Sequence, residues 1–388
     1  MTPRDKPSIK PDKPFFSSGP TAKIPGWSPS LLSSALVGRS HRSEESLNRL
    51  EYFLELMKKV LQIPEEYEIA IMPGSATGAI ESAIWNFLGT RPVDALAFDV
   101  FGARWQHLLE TQLEIPGQRL IGGPRSDLPE LTQLNFNHDV LFTWNGSTGG
   151  LRLPKTNWIP DDRTGLTICD ATSAVFTVAL PWDKLDITAF SWQKGLGSEA
   201  AHGILVLGPR ALQHLKENKP VWPVPCLYSL HRGGHFNVDL FRGLTLNTPS
   251  MLCLEDALMA LKWAESIGGL STLIQRTERN AQTILDWCQE KDWIFPLRPD
   301  PATRSHSTLC LEIIPPLPLD EVTLWQKLKD MRELVEREQA GYDFINHTAA
   351  QPCLRLWCGP TVESSDLKAL MPWISYAYSQ VFNIQGSI

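Results

Sequence analysis

The chain has 388 residues, a formal net charge of −7, and 43% hydrophobic and 20% charged residues. A chain of this length and composition can bury a large core, which excludes disordered, collagenous and small disulfide-stapled proteins. The acidic balance gives no electrostatic reason to bind nucleic acid or an anionic membrane. The seven cysteines form no CxxC pair, which fits reduced thiols. No apolar run approaches the ~18 residues of a membrane span, and we expect a cytoplasmic protein.

The first twenty residues contain five prolines, which disfavour a helix. They predict an extended arm whose apolar end, at Phe15 and Phe16, docks on the body of the protein. The arm also lacks the apolar stretch that a secretory signal needs. From residue 43 to residue 62 apolar side chains recur at helical spacing, which predicts the first long helix.

The next part of the chain alternates between strand and helix patterns. Residues 68–88 are read as a strand over 68–72, a glycine loop over 73–78 and a helix over 79–88. Short apolar runs then predict strands at 95–100, 140–144, 165–169, 187–191 and 203–207, with helices or loops between them. This alternation is typical of an α/β fold with a mostly parallel sheet and crossover helices.

The last third of the chain has a different pattern. Residues 250–290 show long helical periodicity, and residues 295–388 mix strands at 308–314 and 353–358 with a charged helix near 319–340 and a closing helix from residue 364. We therefore predict an N-terminal arm (1–20), a large domain (21–265) and a smaller α+β domain (266–388).

The glycine loop at residues 74–78 is the first feature that can carry chemistry. Backbone N–H groups at the start of a helix form an anion site, and Ser75 and Thr77 add hydroxyl groups. The loop matches neither a Walker A motif nor GxGxxG, and loops of this kind are often only tight turns.

Two further residues stand where predicted strands end. Asp170 closes the strand that ends with Cys169, and the carboxyl edge of a parallel sheet is where α/β proteins bind ligands. Lys194 follows another apolar strand and precedes glycines, and partial desolvation there would provide a neutral amine. Taken singly, the aspartate could cap a turn and the lysine could be solvated.

The combination of these features is more specific than any one of them. Asp170 and Lys194 are 24 residues apart, each at the end of one of two adjacent predicted strands. Pyridoxal phosphate needs an amine for its aldehyde, an acid for its ring nitrogen and a cradle for its phosphate. The sequence offers all three.

Several strings along the chain are similar to class V, fold-type I pyridoxal-phosphate aminotransferases, and within them to the phosphoserine aminotransferase family. They are Ser18-Gly-Pro20, Ser40-His-Arg42, the 74–78 loop, Cys169-Asp-Ala-Thr-Ser173, Ser191-Trp-Gln-Lys194 and Leu246-Asn-Thr-Pro249. The resemblance runs from about residue 15 to the carboxyl end. It implies a large domain with a seven-stranded, mostly parallel sheet and a smaller C-terminal α+β domain.

The resemblance also implies roles for individual residues. Lys194 would form the internal aldimine and move the proton, and Asp170 would pair with the pyridinium nitrogen. The other implied cofactor-binding residues are Trp105 stacked on the ring, Ser147 at the ring hydroxyl, Ala76, Thr77 and Gln193 at the phosphate, and Asn247 and Thr248 reaching the phosphate from a partner subunit. The site would therefore require a homodimer.

The substrate side rests on cationic residues. Arg355 lies in an apolar strand, where it must pair with an acid or face a cleft. By resemblance it would bind the α-carboxylate, while His41 and Arg42 would bind the distal phosphate or carboxylate. Many family members have a His-Arg pair shortly before this strand, whereas this chain has only His347 there. Arg104 or the 231–235 loop could take the place of the missing arginine. His231 and His235 lack the helix and acid of a zinc site, so we expect no metal.

The implied reaction is reversible transamination of 3-phosphohydroxypyruvate with L-glutamate to O-phospho-L-serine and 2-oxoglutarate, a step of serine biosynthesis. Another class V enzyme, such as an alanine–glyoxylate aminotransferase or a cysteine desulfurase, is the nearest alternative. Desulfurases stack a histidine on the ring, whereas this chain has Trp105 at that position. A catalytically silent binder of phosphate compounds is the other alternative, although it would have little use for Lys194.

Overall fold

The computed structural model describes residues 5–154 and 156–383. The described residues form eight α-helices: α1 (Glu44–Leu61), α2 (Ser75–Phe87), α3 (Val100–Leu108), α4 (Pro209–Glu217), α5 (Met251–Ser266), α6 (Gly269–Gln289), α7 (Glu321–Arg337) and α8 (Ser364–Val381). None of these helices is long and apolar enough to cross a membrane.

The strands in the same part of the chain are β1 (Glu68–Pro73), β2 (Val93–Ala97), β3 (Arg119–Gly122), β4 (Asp139–Thr143), β5 (Asn145–Gly146), β6 (Leu151–Arg152), β7 (Thr167–Asp170), β8 (Ile187–Phe190), β9 (His202–Leu207), β10 (His231–Arg232), β11 (His235–Phe236), β12 (Ile294–Pro296), β13 (Thr308–Ile313) and β14 (Leu354–Trp357). Seven of them form the central sheet in the order β1-β9-β8-β7-β4-β2-β3. Strand β9 is antiparallel to both of its neighbours, and the other pairs are parallel. The predicted α/β fold with a mostly parallel sheet is confirmed.

The inner strands are largely apolar because both faces of the sheet are covered. Strands β2, β4, β7, β8 and β9 are buried at every residue, as is typical of a parallel sheet between two helical layers. Helix α2 packs on one face, where Ile80 and Ile84 are fully buried. This packing fixes the carboxyl edge of the sheet, where β4, β7 and β8 end side by side.

Two of the predicted boundaries between strand and helix were wrong by several residues. The predicted strand at 95–100 ends at Ala97, and α3 begins at Val100 because the Asp99 carboxylate caps it by accepting a hydrogen bond from the Gly102 N–H at 2.8 Å. The helix predicted at 79–88 begins earlier, at Ser75, since Gly74 adopts a φ of 78° and turns the chain directly into the helix. The glycine loop is therefore largely the first turn of α2.

The C-terminal part forms a second layer structure. Strands β12, β13 and β14 make an antiparallel sheet that shares a core with α7, α8 and the second half of α6. Phe16, from the N-terminal arm, is fully buried in this core, and Phe15 forms a bridge with Tyr342. Helix α6 also contributes Leu270 and Leu273 to the large core. The division at residues 20/21 and 265/266 remains a proposal, because α6 belongs to both cores.

Candidate active site

A cavity of about 190 Å³ lies at the carboxyl edge of the central sheet. Strands β7 and β8 are parallel neighbours, with Asp170 paired to Ala189 at the edge. Asp170 is the last residue of β7, and Lys194 follows the end of β8 by four residues. Both side chains line the cavity. The fold therefore brings the two predicted strand-end residues to one site.

The Asp170 carboxylate is buried and held by three hydrogen bonds. Oδ1 accepts from the Thr172 backbone N–H at 3.1 Å and from the Thr172 hydroxyl at 2.6 Å. Oδ2 accepts from the Trp105 indole N–H at 3.1 Å. These bonds fix the plane of the carboxylate and tie the position of Trp105, on α3, to the end of β7. The carboxylate can therefore hold a proton on a ligand nitrogen at a defined point.

Lys194 lies in a desolvated position beside a serine pair. Its Nζ donates to the Ser147 Oγ at 3.3 Å, which in turn donates to the Ser173 Oγ at 2.8 Å. Burial, and then the positive charge of Arg355, lower the Lys194 pKa from 10.5 to about 8, against the opposing effect of Asp170 and Asp99. At pH 7 roughly a tenth of the side chain is then a neutral amine.

The end of the N-terminal arm and Thr21, the residue that follows it, hold the backbone around Lys194. The Thr21 hydroxyl donates to the Lys194 carbonyl oxygen at 2.6 Å, and the Thr21 N–H donates to the Gln193 carbonyl oxygen at 3.0 Å. A Cβ atom at Gly19 would lie 3.1 Å from Lys194 Cε, so a larger residue would press on the lysine. The arm thus forms one wall of the cavity, which its sequence did not indicate.

The N-terminus of α2 forms the opposite wall. Ala76 and Thr77 lie in the first turn of α2 and line the cavity, and the backbone N–H groups of a first turn have no partner within the helix. Gly78 allows close contact with β1, because a Cβ atom there would lie 1.9 Å from the Pro73 carbonyl oxygen. Gln193 also lines the cavity, and its side chain accepts from the Ser191 hydroxyl. This donor set suits a phosphate group.

The cavity is also lined by Ser75 and Arg104, which the sequence offered only as possible anion-binding groups, and by residues to which it gave no role, namely Gly19, Phe101, Thr143, Asn145, Thr172 and Ser173. Thr143 is the last residue of β4. Because α/β proteins bind ligands at the carboxyl ends of parallel strands, its position could have identified it. Thr143 Oγ1 and Asn145 Oδ1 are buried and have no hydrogen-bond partner among the described residues. Buried polar atoms normally have partners, so their position beside a cavity fits a polar ligand.

Arg355 approaches this site from the small sheet. It lies on β14 opposite Cys310 of β13, and its Nε is buried without a hydrogen-bond partner in the described part of the chain. Burial lowers the Arg355 pKa, and the ionisable groups of Cys310, Cys353 and Asp99 oppose this effect. An unpaired guanidinium near Lys194 can bind an anionic ligand group.

Arg355 lies near this cavity but does not line it, and neither do the other predicted substrate and partner-subunit residues within one chain. His41 and Arg42 border a separate cavity of about 600 Å³ together with His231, Arg232 and Thr245. Asn247 and Thr248 are exposed, just after Thr245. His347 is also exposed, and its Nδ1 accepts a hydrogen bond from the Ala349 N–H at 3.1 Å.

Comparisons with known proteins place the chain in a family. It is 43% identical to a phosphoserine aminotransferase of Methanosarcina mazei over 376 residues, which cover 97% of this chain and 100% of the relative. A phosphoserine aminotransferase of Methanosarcina barkeri is 42% identical over the same shares. No family model matches the chain.

Solved structures show the fold but do not separate the activities within it. A PLP-bound phosphoserine aminotransferase from Trichomonas vaginalis matches with a TM-score of 0.77 at 17% identity, over 93% of this chain and 99% of the other. An alanine–glyoxylate aminotransferase from Nostoc sp. matches with a TM-score of 0.76 at 17% identity, over 97% of each chain. The fold is therefore that of PLP-dependent aminotransferases. On the sequence identity to its Methanosarcina relatives, the chain belongs to the phosphoserine aminotransferase family.

Proposed function

We propose that the protein catalyses reversible amino transfer between L-glutamate and 3-phosphohydroxypyruvate, giving 2-oxoglutarate and O-phospho-L-serine, with pyridoxal 5′-phosphate as its cofactor. The observation that carries this proposal is the pairing of Asp170 and Lys194 across one cavity, in a chain 43% identical to a phosphoserine aminotransferase. Such a reaction is a step of serine biosynthesis.

The residues of the cavity fit pyridoxal phosphate. When bound, the cofactor supplies an aldehyde and an electron-accepting ring. The first turn of α2, with Ala76 and Thr77, and the side chain of Gln193 would hold its phosphate, because this is the donor-rich end of the cavity. Trp105, already hydrogen-bonded to Asp170, would stack on the ring. Buried Thr143 and Asn145 would find partners for their unpaired oxygens.

Lys194 is suited to move a proton at the substrate Cα. A lysine with a pKa of about 8 exists in both protonation states near neutral pH, which general acid–base catalysis needs. Ser147 holds the amine when no ligand is bound and would turn to the ring hydroxyl when the cofactor is present. Asp170 would keep a proton on the ring nitrogen. These roles need no further titratable group.

Arg355 would bind the substrate α-carboxylate. Its guanidinium lies close enough to Lys194 to lower the lysine pKa, which is the relation expected between a carboxylate anchor and the amine that acts at Cα. A carboxylate would provide the partner that the buried Nε lacks. Two parallel hydrogen bonds would orient the substrate as well as bind it.

A second copy of the chain would complete the site. Large apolar side chains are 39–52% exposed on the segment before and after Asn247, and these are Val221, Leu227, Val238, Leu244 and Leu252. Exposed apolar surface of this kind marks an interface. The proposed homodimer covers it and brings Asn247 and Thr248 to the cofactor phosphate of the partner.

The same interface would supply the distal-anion subsite. His41, Arg42 and Arg232 border one cavity, next to the segment that leads to Asn247. Arg232 lies on the β10–β11 hairpin and offers the second arginine that the His347 position lacks. We therefore propose that Arg42 and Arg232 bind the phosphate of phosphoserine from the partner subunit, while exposed His347 has a lesser part.

The reaction is tested with purified protein and added cofactor. We expect 2-oxoglutarate to form from L-glutamate when 3-phosphohydroxypyruvate is present and not when glyoxylate replaces it. Lys194→Ala should lower the rate by at least about 10²-fold, since general acid–base catalysis contributes that much. Lys184→Ala, at a lysine that is also mostly buried, serves as the control. Glyoxylate as the preferred acceptor would move the activity to the alanine–glyoxylate class.

The shared site is tested with hybrid dimers. Arg42→Met and Lys194→Ala should each be nearly inactive alone, because each lacks one half of every site. In a hybrid dimer, one of the two sites combines an intact Lys194 with an intact Arg42, and the other site lacks both. Half of the dimers in an equal mixture would be hybrids, so mixing should restore about a quarter of wild-type activity. Mixed subunits that stay inactive after exchange would contradict a site built from two chains.

A further inference from the structure

Asp99 is a buried carboxylate that lies beside this cavity without lining it, and no step of the proposed reaction uses it. Its side chain is fully buried, and Oδ1 accepts a hydrogen bond from the Gly102 N–H at 2.8 Å. Oδ2 is buried and forms no hydrogen bond of ordinary length in residues 5–154 and 156–383, although the Thr148 backbone N–H faces the carboxylate. A buried carboxylate oxygen without a partner is costly and needs an explanation.

The position of Asp99 links two walls of the cavity. Asp99 begins α3, which carries Phe101 and Trp105 into the site. The next residue, Val100, donates its N–H to the Thr148 Oγ1 at 3.1 Å. Thr148 follows Ser147, the serine that accepts from Lys194. Asp99 therefore lies where α3 meets the loop that contacts the lysine.

The loop that contains Ser147 and Thr148 also contacts the small sheet, in which β14 carries Arg355. The Thr148 carbonyl oxygen accepts from the Asn346 side chain at 2.9 Å, and the Cys310 Sγ lies 3.7 Å from it. The charged and titratable groups that face Asp99 come from four elements: Asp170 at the end of β7, Lys194 after β8, Cys310 on β13 and Arg355 on β14. Two of these four are cations.

We propose that Asp99 is a positioning residue of this site: its buried carboxylate caps α3, the helix that carries Trp105, faces the backbone N–H of Thr148 in the Ser147 loop, and supplies the second negative charge facing Lys194 and Arg355. The inference rests on the proposed function, since it concerns the same amine and guanidinium. Asp170 and Asp99 both oppose the loss of the proton from Lys194, and Asp99 also offsets a small part of the cost of burying Arg355.

The electrostatic consequence has a definite sign. Burial raises the Asp99 pKa to about 6, so the group is mostly ionised at pH 7. Its negative charge raises the pKa of Lys194, against burial and Arg355. Without that charge the Lys194 pKa falls below about 8. A lower Lys194 pKa makes the neutral amine more abundant at pH 7.

The test measures how fast the apoprotein captures pyridoxal phosphate as a function of pH, followed by its visible band. Wild-type capture should rise with pH to a midpoint near 8 as Lys194 loses its proton. Asp99→Asn keeps the oxygen that accepts from Gly102 and removes only the charge. We expect its midpoint to move to lower pH and capture at pH 7 to become faster than in the wild type.

Asp139→Asn is the matched control, because Asp139 is a second fully buried carboxylate with an unpaired Oδ2 among the described residues and a pKa raised by burial to about 6. It stands at the start of β4, the opposite end of the strand from the site. Asp99→Ala removes the cap as well as the charge and should weaken the circular dichroism of the cofactor band, which reports the stacking of Trp105. Should Asp99→Asn not fold, Asp99→Ser replaces it as an uncharged cap.

An unchanged midpoint in the folded uncharged variant, or an equal shift in Asp139→Asn, would overturn the inference while leaving the proposed function intact. A wild-type protein that captures no pyridoxal phosphate at any pH would overturn the proposed function and this inference together. A lower midpoint in the Asp99 variant alone supports the role.

Discussion

Replacing Arg355 with methionine should abolish most substrate binding without harming the fold. The guanidinium has a buried Nε with no partner in the described chain, so it contributes desolvation cost rather than a folding interaction. Methionine keeps most of the side-chain volume and removes the charge. Function and stability should therefore move in opposite directions.

The magnitude follows from the hydrogen bonds that the substrate would lose. A hydrogen bond between charged groups contributes ~1.5–3 kcal/mol, so two bonds to a carboxylate amount to about 3–6 kcal/mol. This corresponds to a loss of roughly 10²–10⁴-fold in kcat/KM. Removing an unpaired buried charge should stabilise the fold by about 1 kcal/mol, or raise Tm by about 2 °C. The Lys194 pKa should also rise, because Arg355 lowers it.

The assay is steady-state transamination of L-glutamate and 3-phosphohydroxypyruvate, with thermal unfolding of the same samples. Arg304→Met is the control, since Arg304 also has a buried, unpaired Nε among the described residues but borders a different cavity. Its kcat/KM should stay within about two-fold of wild type. A loss below about five-fold in Arg355→Met, or a loss accompanied by a large fall in Tm, would refute the reasoning.

Three further outcomes are expected. Trp105→Phe removes the indole hydrogen bond to Asp170 and should lower kcat about ten-fold and weaken cofactor retention, measured by kinetics and dialysis. Phe16→Ala should lower the free energy of unfolding in urea by about 3–5 kcal/mol, whereas Ile9→Ala, at a side chain 74% exposed, should change it by less than about 0.5 kcal/mol. Burial raises the Asp139 pKa from 3.8 to about 6, so its ionisation destabilises the fold as pH rises through 6. Asp139→Asn should therefore raise Tm at pH 7.5 and leave it unchanged below about pH 3, where the wild-type carboxyl is neutral with or without folding.

Much of the fold and the centre of the site could be predicted from the sequence because both depend on strand ends. Apolar runs identified the inner strands, and a parallel sheet brings its carboxyl ends to one edge. Asp170 and Lys194 were found for that reason. The short strands were not predicted, because β3 is largely exposed and the two-residue strands have no periodicity to detect.

The rest of the site depends on contacts between distant segments. The apolar run at 95–100 conceals the change from β2 to α3, and with it the buried position of Asp99. The wall formed by Gly19 and Thr21 exists only because the arm packs on the backbone near Lys194. No local pattern records such contacts. The sharing of residues between two subunits is likewise a property of an assembly, and it stays a prediction.

Whether the protein binds pyridoxal phosphate and transaminates phosphoserine is tested most directly by its visible spectrum. The spectrum is recorded with the cofactor bound, before and after adding O-phospho-L-serine, with L-alanine as the control. We expect a yellow band that phosphoserine bleaches and alanine leaves unchanged, because only phosphoserine carries the distal anion. Bleaching by alanine and not by phosphoserine would contradict the proposed substrate. A protein that shows no band with added cofactor would contradict the roles of Lys194 and Asp170.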